Sequence, residues 1–426
     1  MTMTASGHPT GQSLDHMLTR RARIALYSHD TMGLGHMRRN LLLAQTLCAS
    51  SLNAVVLMVA GAREAAAFPM LPGVDCLTLP SLSKSGDGDY ACRHMAIQLE
   101  ELVALRAGAI QASLEAFDPD IVIVDNVPRG AVRELDSALT SLRSAGRTRV
   151  VLGLRDVLDD AAVVRAEWSR AGNEQVLRDY YDLICVYGDR RLCDPAAEYG
   201  FSPDVASLVR FAGYLDQRKR LRVADDRSAD VLDGLALPPG RLVLGLVGGG
   251  QDGTRLAEAF SRIELPPETN AVLVTGPFMP KTVQRSILRR LRDAPRFRVI
   301  EFIQEPTVLL SRADRIVAMG GYGTTSEILS FEKHALIVPR VRPRREQLIR
   351  AERLAALGLV QLMHPDDVTA TGLAAWLASD LGPPPSARSV LDFGALDRMP
   401  VLLEALLERQ PCLAGAPHRR TYRAAV

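Results

Sequence analysis

The sequence predicts an α/β protein built from two doubly wound parallel-sheet domains that face each other across a cleft. Three observations carry this. Short continuous apolar runs such as Ile121-Val-Ile-Val124 alternate with segments of helical periodicity. That is the pattern of strands buried on both faces and joined by right-handed crossover helices. The alternation occurs twice, before Gly213 and after Gly240, with a change of character between. Each series also has a glycine-rich joint at the C-terminal end of a strand, the place where ligands of such sheets bind.

In chain order, residues 1–21 read as a disordered leader and 22–213 as the first Rossmann-like domain. Its strands are Arg23–Ser28, Ala54–Ala60, Val74–Leu79, Ile121–Val124, Arg149–Leu154, Leu183–Tyr187 and Val209–Ala212. Met37–Ser50 carries Leu41, Leu42, Ala44, Leu47 and Cys48 at helical spacing. Ser81–Tyr90, rich in Ser, Gly and Asp, reads as a flexible loop, and Ala91–Phe117 as a long helix. Residues 214–240, with the charge run Gln217-Arg-Lys-Arg-Leu-Arg222 and two prolines near Gly240, read as the linker. The second domain, 241–385, has strands Leu242–Val247, Ala271–Thr275, Arg298–Phe302, Arg315–Met319, Ala335–Val338 and Leu359–Met363, with helices Gln347–Leu357 and Asp366–Ser379. A closing helix falls within 386–410, and 411–426 is a basic tail.

Composition narrows the function. A net charge of +2 gives no field for nucleic acid, and 5% aromatic residues are too few for base-stacking surfaces. The six cysteines form no CxxC pair, which favours free thiols in a reducing compartment. No apolar run reaches the ~18–20 residues of a membrane span, and the first residues lack a signal-peptide core. The expectation is a cytoplasmic protein, with peripheral contact at the inner membrane left open.

The chemistry concentrates at three glycine joints. Arg315–Met319 stops at Gly320 and Gly321, turns at Gly323, and opens a helix carrying Thr324, Thr325, Ser326 and Glu327. A helix start offers unpaired N–H groups to a phosphate, and a carboxylate one turn on suits a pair of sugar hydroxyls. Gly248-Gly-Gly-Gln251 repeats the arrangement at the head of the second domain; it reads either as a diphosphate cradle or as a tight strand-to-helix turn. No Gly-Lys-Ser/Thr follows, so it is not a P-loop. Gly33-Leu-Gly35-His36 opens the first domain's first helix. A dinucleotide fingerprint would place a third glycine where Arg38 stands and an acid after the second strand, where Val59-Ala60-Gly61 has none. His36, at a helix N-terminus, reads either as a neutral base or as a capping residue. Asp125 and Asp156, near strand ends, are the competing bases. Arg340-Val-Arg-Pro-Arg-Arg345 reads either as a solvated charge run or as the lining of a site for an anion. Asp87, Asp89, Asp118 and Asp120 have no further ligand types nearby, so no metal site is expected.

In this order and spacing, Gly320–Glu327, Ala335–Pro339, Gln347, Ala351, Leu354 and Gly358 resemble the C-terminal domain of family 28 glycosyltransferases. The best-known member makes lipid II by transferring N-acetylglucosamine from a UDP donor. The resemblance extends to Gly33–His36, Phe211-Ala-Gly-Tyr214 and Gly248–Gln251, and so spans most of residues 23–360. The chain is also similar to a bacterial group of predicted glycosyltransferases. The resemblance implies a GT-B fold and a cell-envelope or exopolysaccharide role. It implies a nucleotide-sugar donor, with UDP favoured over other nucleotides, and no cofactor and no metal. By position, Glu327 would bind the ribose. Thr324, Thr325 and Gly248–Gly250 would hold the diphosphate, with Gln251, Gly321, Gly323 and Ser326 around them. Gln347 would contact the donor sugar, and His36 would stand near the reacting centre. Gly33, Gly35 and Arg155 would lie on the acceptor side or on a phosphate loop. The chain departs from the family at Arg344, where a small or acidic residue is usual, and at Arg350, where an Asn is usual. The expected reaction is an inverting transfer to an acceptor hydroxyl that the sequence does not identify. The competing expectations are a UDP-N-acetylglucosamine 2-epimerase and a non-catalytic nucleotide-sugar-binding protein.

Overall fold

The structure, a computed structural model, describes residues 21–30, 35–63, 65, 68–84, 89–221, 233–303 and 305–408. The expected leader up to residue 20, Gly33, Asp87, the linker stretch 222–232 and the tail lie outside the described residues.

The first half contains β1 (Arg23–Ser28), β2 (Val55–Ala60), β3 (Val74–Thr78), β4 (Leu82–Lys84), β5 (Tyr90–Cys92), β6 (Ile121–Asp125), β7 (Arg149–Arg155), β8 (Leu183–Tyr187) and β9 (Val209–Phe211). Seven of these form one sheet in the order β3-β2-β1-β6-β7-β8-β9. Its pairings are parallel, with Ile24 opposite Val56 on one side and Ile121 on the other. The second half contains β10 (Arg241–Leu246), β11 (Thr269–Val274), β12 (Phe297–Ile300), β13 (Arg315–Ala318), β14 (His334–Ile337) and β15 (Gln361–Leu362). They form a six-stranded sheet ordered β12-β11-β10-β13-β14-β15, also parallel. In each sheet the chain order reverses once beside the central strand, between β1 and β6 and between β10 and β13. Those two switch points open the crevices in which ligands of such sheets sit.

Alternation along each strand sends side chains to two cores. On β1, Ile24 and Leu26 join one apolar cluster while Ala25 and Tyr27 join another, as period-two geometry requires of a sheet covered on both faces. The first cluster is shared. It contains Ile24 and Ile121 from one sheet, Leu244 and Ile316 from the other, and Met399 and Leu403 from the last helix. That helix, Ala395–Glu408, returns from the second half to the first. Met399 Sδ lies 3.0 Å from Cys185 Sγ, and Tyr214 N donates to Asp392 O at 2.7 Å.

One expectation needs correction. Residues 82–84 and 90–92 are not loop and helix start. They pair antiparallel as β4 and β5, with Ser83 opposite Ala91. The following helix begins only at Leu99, after an extended Gln98 and with Glu100 and Glu101 in its first turn, where carboxylates suit the dipole. Within the expected linker, part of the charge run is packed against the second half. Gln217–Arg220 form a short 3₁₀ turn in which Gln217 and Arg220 are buried, and Gln217 N donates to Ser330 Oγ at 3.1 Å.

Polar contacts then fix how the halves face each other. Arg350, 1% exposed, donates from Nε to Asp156 Oδ1 at 2.9 Å, from Nη2 to Val157 O at 3.0 Å and from Nη1 to Gly320 O at 3.0 Å. Tyr214 Oη gives Asp156 its other contact, 2.6 Å to Oδ2. Arg353 binds Glu198, Arg344 binds Asp159 and Glu167, and Tyr322 Oη donates to Tyr187 O at 2.8 Å. Arg350→Leu would leave the Asp156 carboxylate buried without its counter-charge. The expected loss of unfolding free energy is about 3–5 kcal/mol. Combining it with Asp156→Asn should recover part of that loss. Urea unfolding of both single variants and the double checks this, and strictly additive losses would show that the two groups are not coupled.

Candidate active site

The two switch points meet across a cavity of about 620 Å³, within the usual range of ligand sites. On the first-half side, β1 ends at Ser28 and the chain passes His29 and Asp30. Asp30 accepts Ser28 Oγ at 2.5 Å and the N–H of Met37 at 3.1 Å, so it holds the start of helix Gly35–Cys48. His36, in the first turn, lines the cavity. Its Nδ1 lies 2.8 Å from Oδ2 of Asp125, the last residue of β6. Asp125 is 1% exposed and does not itself line the cavity. Burial pushes its carboxyl up, but Arg39 and His36 outweigh this and hold it well below the usual carboxylate range. A carboxylate so firmly ionised is a poor base and a good orienting group. With Asp125 ionised, Nδ1 carries the ring proton and donates it, which turns the Nε2 lone pair away from Asp125. Arg39 Nη2, 3.0 Å from the same Nδ1, is bound to Asp125 rather than to the ring. Asp156, the other acid considered as base, is fully buried in the Arg350 contact.

On the second-half side, two glycine loops press together. Gly248 and Gly250 follow β10 with φ of +61° and +91°; Gly276 follows β11 with φ of +79°. A Cβ on Gly276 would stand 2.4 Å from Gly248 O, and one on Gly250 2.2 Å from Thr275 O. Only glycine permits this approach. Phe278 N donates to Gly249 O at 2.9 Å and ties the loops. Beyond β13, Gly321 is the N-cap (φ −62°, ψ 141°) of helix Tyr322–Ser330. The turn is therefore at Gly320–Gly321 and not at Gly323, which is already helical.

Of the site residues expected from sequence, Gly35, His36, Arg155, Gly248, Gly249, Gly321, Gly323, Thr324, Glu327 and Gln347 line the cavity. Gly250, Gln251, Thr325 and Ser326 do not. Gln251 is exposed, and Thr325 and Ser326 are 2% and 0% exposed on the packed side of their helix. Helical spacing explains this: Gly323 and Thr324 share a face with Glu327, while the two residues between turn inward. Sequence reading missed Gly276, Pro277 and Phe278, although Thr275-Gly276-Pro277 carries the strand–glycine signal that found the other two joints. It also missed the partners of Glu327. This carboxylate, 3% exposed, binds Arg38 Nη2 through Oε1 at 2.8 Å. Arg38 also meets Glu305 at 3.0 Å, and Arg220 binds Glu305 at 2.7 Å and Arg38 O at 2.9 Å. Burial raises the pKa of Glu327 and Arg38 opposes it, the rise prevailing.

Among the described residues no three His, Cys, Asp or Glu side chains gather as metal ligands, and no helix is long and apolar enough to cross a membrane.

No family model and no curated protein matches the chain. Solved structures do match. The calicheamicin glycosyltransferase superposes with a TM-score of 0.57 at 17% identity, covering 91% of this chain and 99% of its own. MurG of Acinetobacter baumannii gives 0.54 at 15%, covering 90% and 99%. The UDP-GlcNAc 2-epimerase of Neisseria meningitidis, solved with UDP-GlcNAc bound, gives 0.57 at 15%, covering 91% and 100%. The fold is GT-B, the architecture common to these glycosyltransferases and epimerases.

Burial pushes the Glu305 carboxyl up, but Arg38 and Arg220 outweigh it and hold Glu305 at about 2, against an ordinary 4.5. A depressed folded pKa contributes stability above the ordinary value, and this is lost as pH falls towards the folded one. Glu305→Gln should therefore unfold more easily than the wild type at pH 7. The gap should narrow as pH is lowered from 4.5 towards 2. Denaturant unfolding of both proteins at pH 7 and pH 3 tests it; an unchanged gap would remove Glu305 from the ionic contact.

Proposed function

We propose that the protein is a glycosyltransferase that moves a sugar from a nucleotide-sugar donor, UDP-linked, to an acceptor hydroxyl with inversion. The observation that carries this reading is the pairing of His36 with Asp125 at one switch point, facing the glycine cradle and helix end at the other. In the proposed reaction the acceptor hydroxyl gives its proton to His36 Nε2, and its oxygen forms the new bond to the anomeric carbon. The bond from that carbon to the diphosphate oxygen breaks on the opposite face. The diphosphate leaves towards Gly248, Gly249, Gly276 and the N-terminus of the Tyr322 helix, whose free N–H groups take up its charge without a metal. Asp125 is a positioning residue: it fixes the tautomer and stabilises the imidazolium that forms.

The nucleotide ribose is assigned to Glu327. Its contact with Arg38 leaves a carboxylate with further lone pairs for hydroxyls. Gln347, whose Oε1 accepts from Arg340 N at 2.9 Å, and Glu346, whose Oε2 is buried without a partner, face the cavity where the donor sugar would lie. The acceptor enters between the ends of β6 and β7.

A second reading rests on the similarity to the Neisseria 2-epimerase bound to UDP-GlcNAc. Incubation with UDP-N-acetylglucosamine separates the two, since the manno epimer forms only under the second. The first expects slow release of UDP from a UDP-sugar. His36→Ala should slow transfer by roughly 10²–10⁴-fold with UDP affinity retained, and transfer unchanged by that substitution would remove the base. Glu327→Gln should weaken UDP binding by at least about tenfold, the size of one lost charged hydrogen bond, read by calorimetry. Undiminished affinity would take the ribose away from Glu327.

A further inference from the structure

The cavity's arginines differ in one respect. Arg38, Arg39, Arg340 and Arg344 each bind one or more carboxylates. Arg155 does not. Among the described residues its guanidinium makes no hydrogen bond or ion pair, and its Nε is buried and unpartnered. Only its backbone is tied, N donating to Asn126 Oδ1 at 3.4 Å. The side chain is half-buried and lines the cavity, with Nε shut off from water, and a charge so placed without a counter-ion opposes folding. Burial lowers its pKa, and Glu346 opposes the shift without touching it, while Arg350 and Arg39 add to it. Such a charge is tolerated where a ligand completes it.

Its position says which ligand. Arg155 ends β7, the strand beside β6, and β6 ends at the Asp125 that holds His36. With strands about 4.8 Å apart, an anion on Arg155 lies roughly 5–10 Å from a hydroxyl on His36. The adjoining wall is apolar: Val127, Pro128, Leu158, Val164 and Trp168 line the cavity there. Trp168 is stacked on Phe201 with ring centroids 5.0 Å apart, which fixes a flat surface.

We propose that Arg155 and the Trp168 wall form an acceptor subsite for a hydroxylated compound with an apolar skeleton and one anionic group, a carboxylate or a phosphate. This rests on the glycosyltransferase reading for the word acceptor, and on the uncompensated arginine for the anion.

Calorimetry in saturating UDP, which occupies the diphosphate cradle, tests it with three probes: phenyl phosphate, benzoate and neutral benzyl alcohol. The wild type should bind at least one anionic probe about tenfold or more tightly than benzyl alcohol, and the stronger of the two identifies the anion. Arg155→Met should abolish the preference, and Arg155→Lys should keep part of it. UDP affinity should stay within twofold in Arg155→Met. The melting temperature of that variant should not fall, since no bond is lost. The proposal is overturned if the wild type shows no anion preference or if Arg155→Met keeps it. It is also overturned by a tenfold loss of UDP affinity, which would give Arg155 to the donor, or by a lower melting temperature, which would show the charge already compensated. If UDP binds neither protein, the nucleotide-sugar reading falls, and the probe comparison still decides the anion subsite.

Discussion

The contact between Arg350 and Asp156 sets the frame in which everything else sits. One guanidinium reaches from the second half to a carboxylate and a carbonyl of the first, and also to Gly320 O at the end of β13. Taking both charges out of water is costly, and their attraction repays it only when the geometry is complete. Here it is complete: Tyr214 Oη and Val157 N satisfy the remaining acceptor capacity of Asp156. An apolar pair of the same volume would be no less stable, but it would not specify one alignment of two sheets. The ionic version does, because any slip leaves a buried charge unpaired. That alignment places the β1/β6 switch point opposite the β10/β13 switch point.

The second constraint is electrostatic closure at the base of the cleft. Arg38 joins Glu327 and Glu305, and Arg220 joins Glu305 and the Arg38 carbonyl. Two acids and two arginines balance, so an otherwise expensive buried carboxylate at 327 is held ready to accept hydrogen bonds. The same contact ties the first helix of one half to the helix Tyr322–Ser330 of the other. The shape of the cavity and the alignment of the halves therefore share atoms. The balance stops at Arg155, and so the open valence of the cavity lies on the first-half side.

Much of this was legible in the sequence, and the reason is local. Strands such as Ile121–Asp125 are continuous apolar runs ending in glycine or polar residues, and their hydrophobic pattern does not depend on partners. Glycine joints announce themselves because only glycine permits positive φ and close backbone approach. What could not be read depends on distance or phase. The resemblance names Thr324, Thr325 and Ser326 together, and which of them faces the cavity depends on which side of the helix packs against the core, where Thr325 and Ser326 lie. The β4–β5 pair is two three-residue strands, too short for a period to show. The partners of Arg38 and Glu327 are far apart in sequence, and no spacing rule connects them.

The two departures from the family pattern are explained by the same logic. Arg344 and Arg350 stand where the resemblance expects a small or acidic residue and an Asn. Both instead point across the cleft, Arg344 to Asp159 and Glu167, Arg350 to Asp156. Helix Glu346–Ala356 thus divides its residues along its length. Glu346 and Gln347 in its first turn line the cavity, while Arg350 and Arg353, about one and two turns further along, grip the other half. All four are carried on one continuous helix. A shift of the arginines on their partners must move the cavity-lining pair with it. A change at Glu346 and Gln347 alone would alter that wall of the cavity without disturbing how the halves meet, but a change in how the halves meet would alter the wall as well.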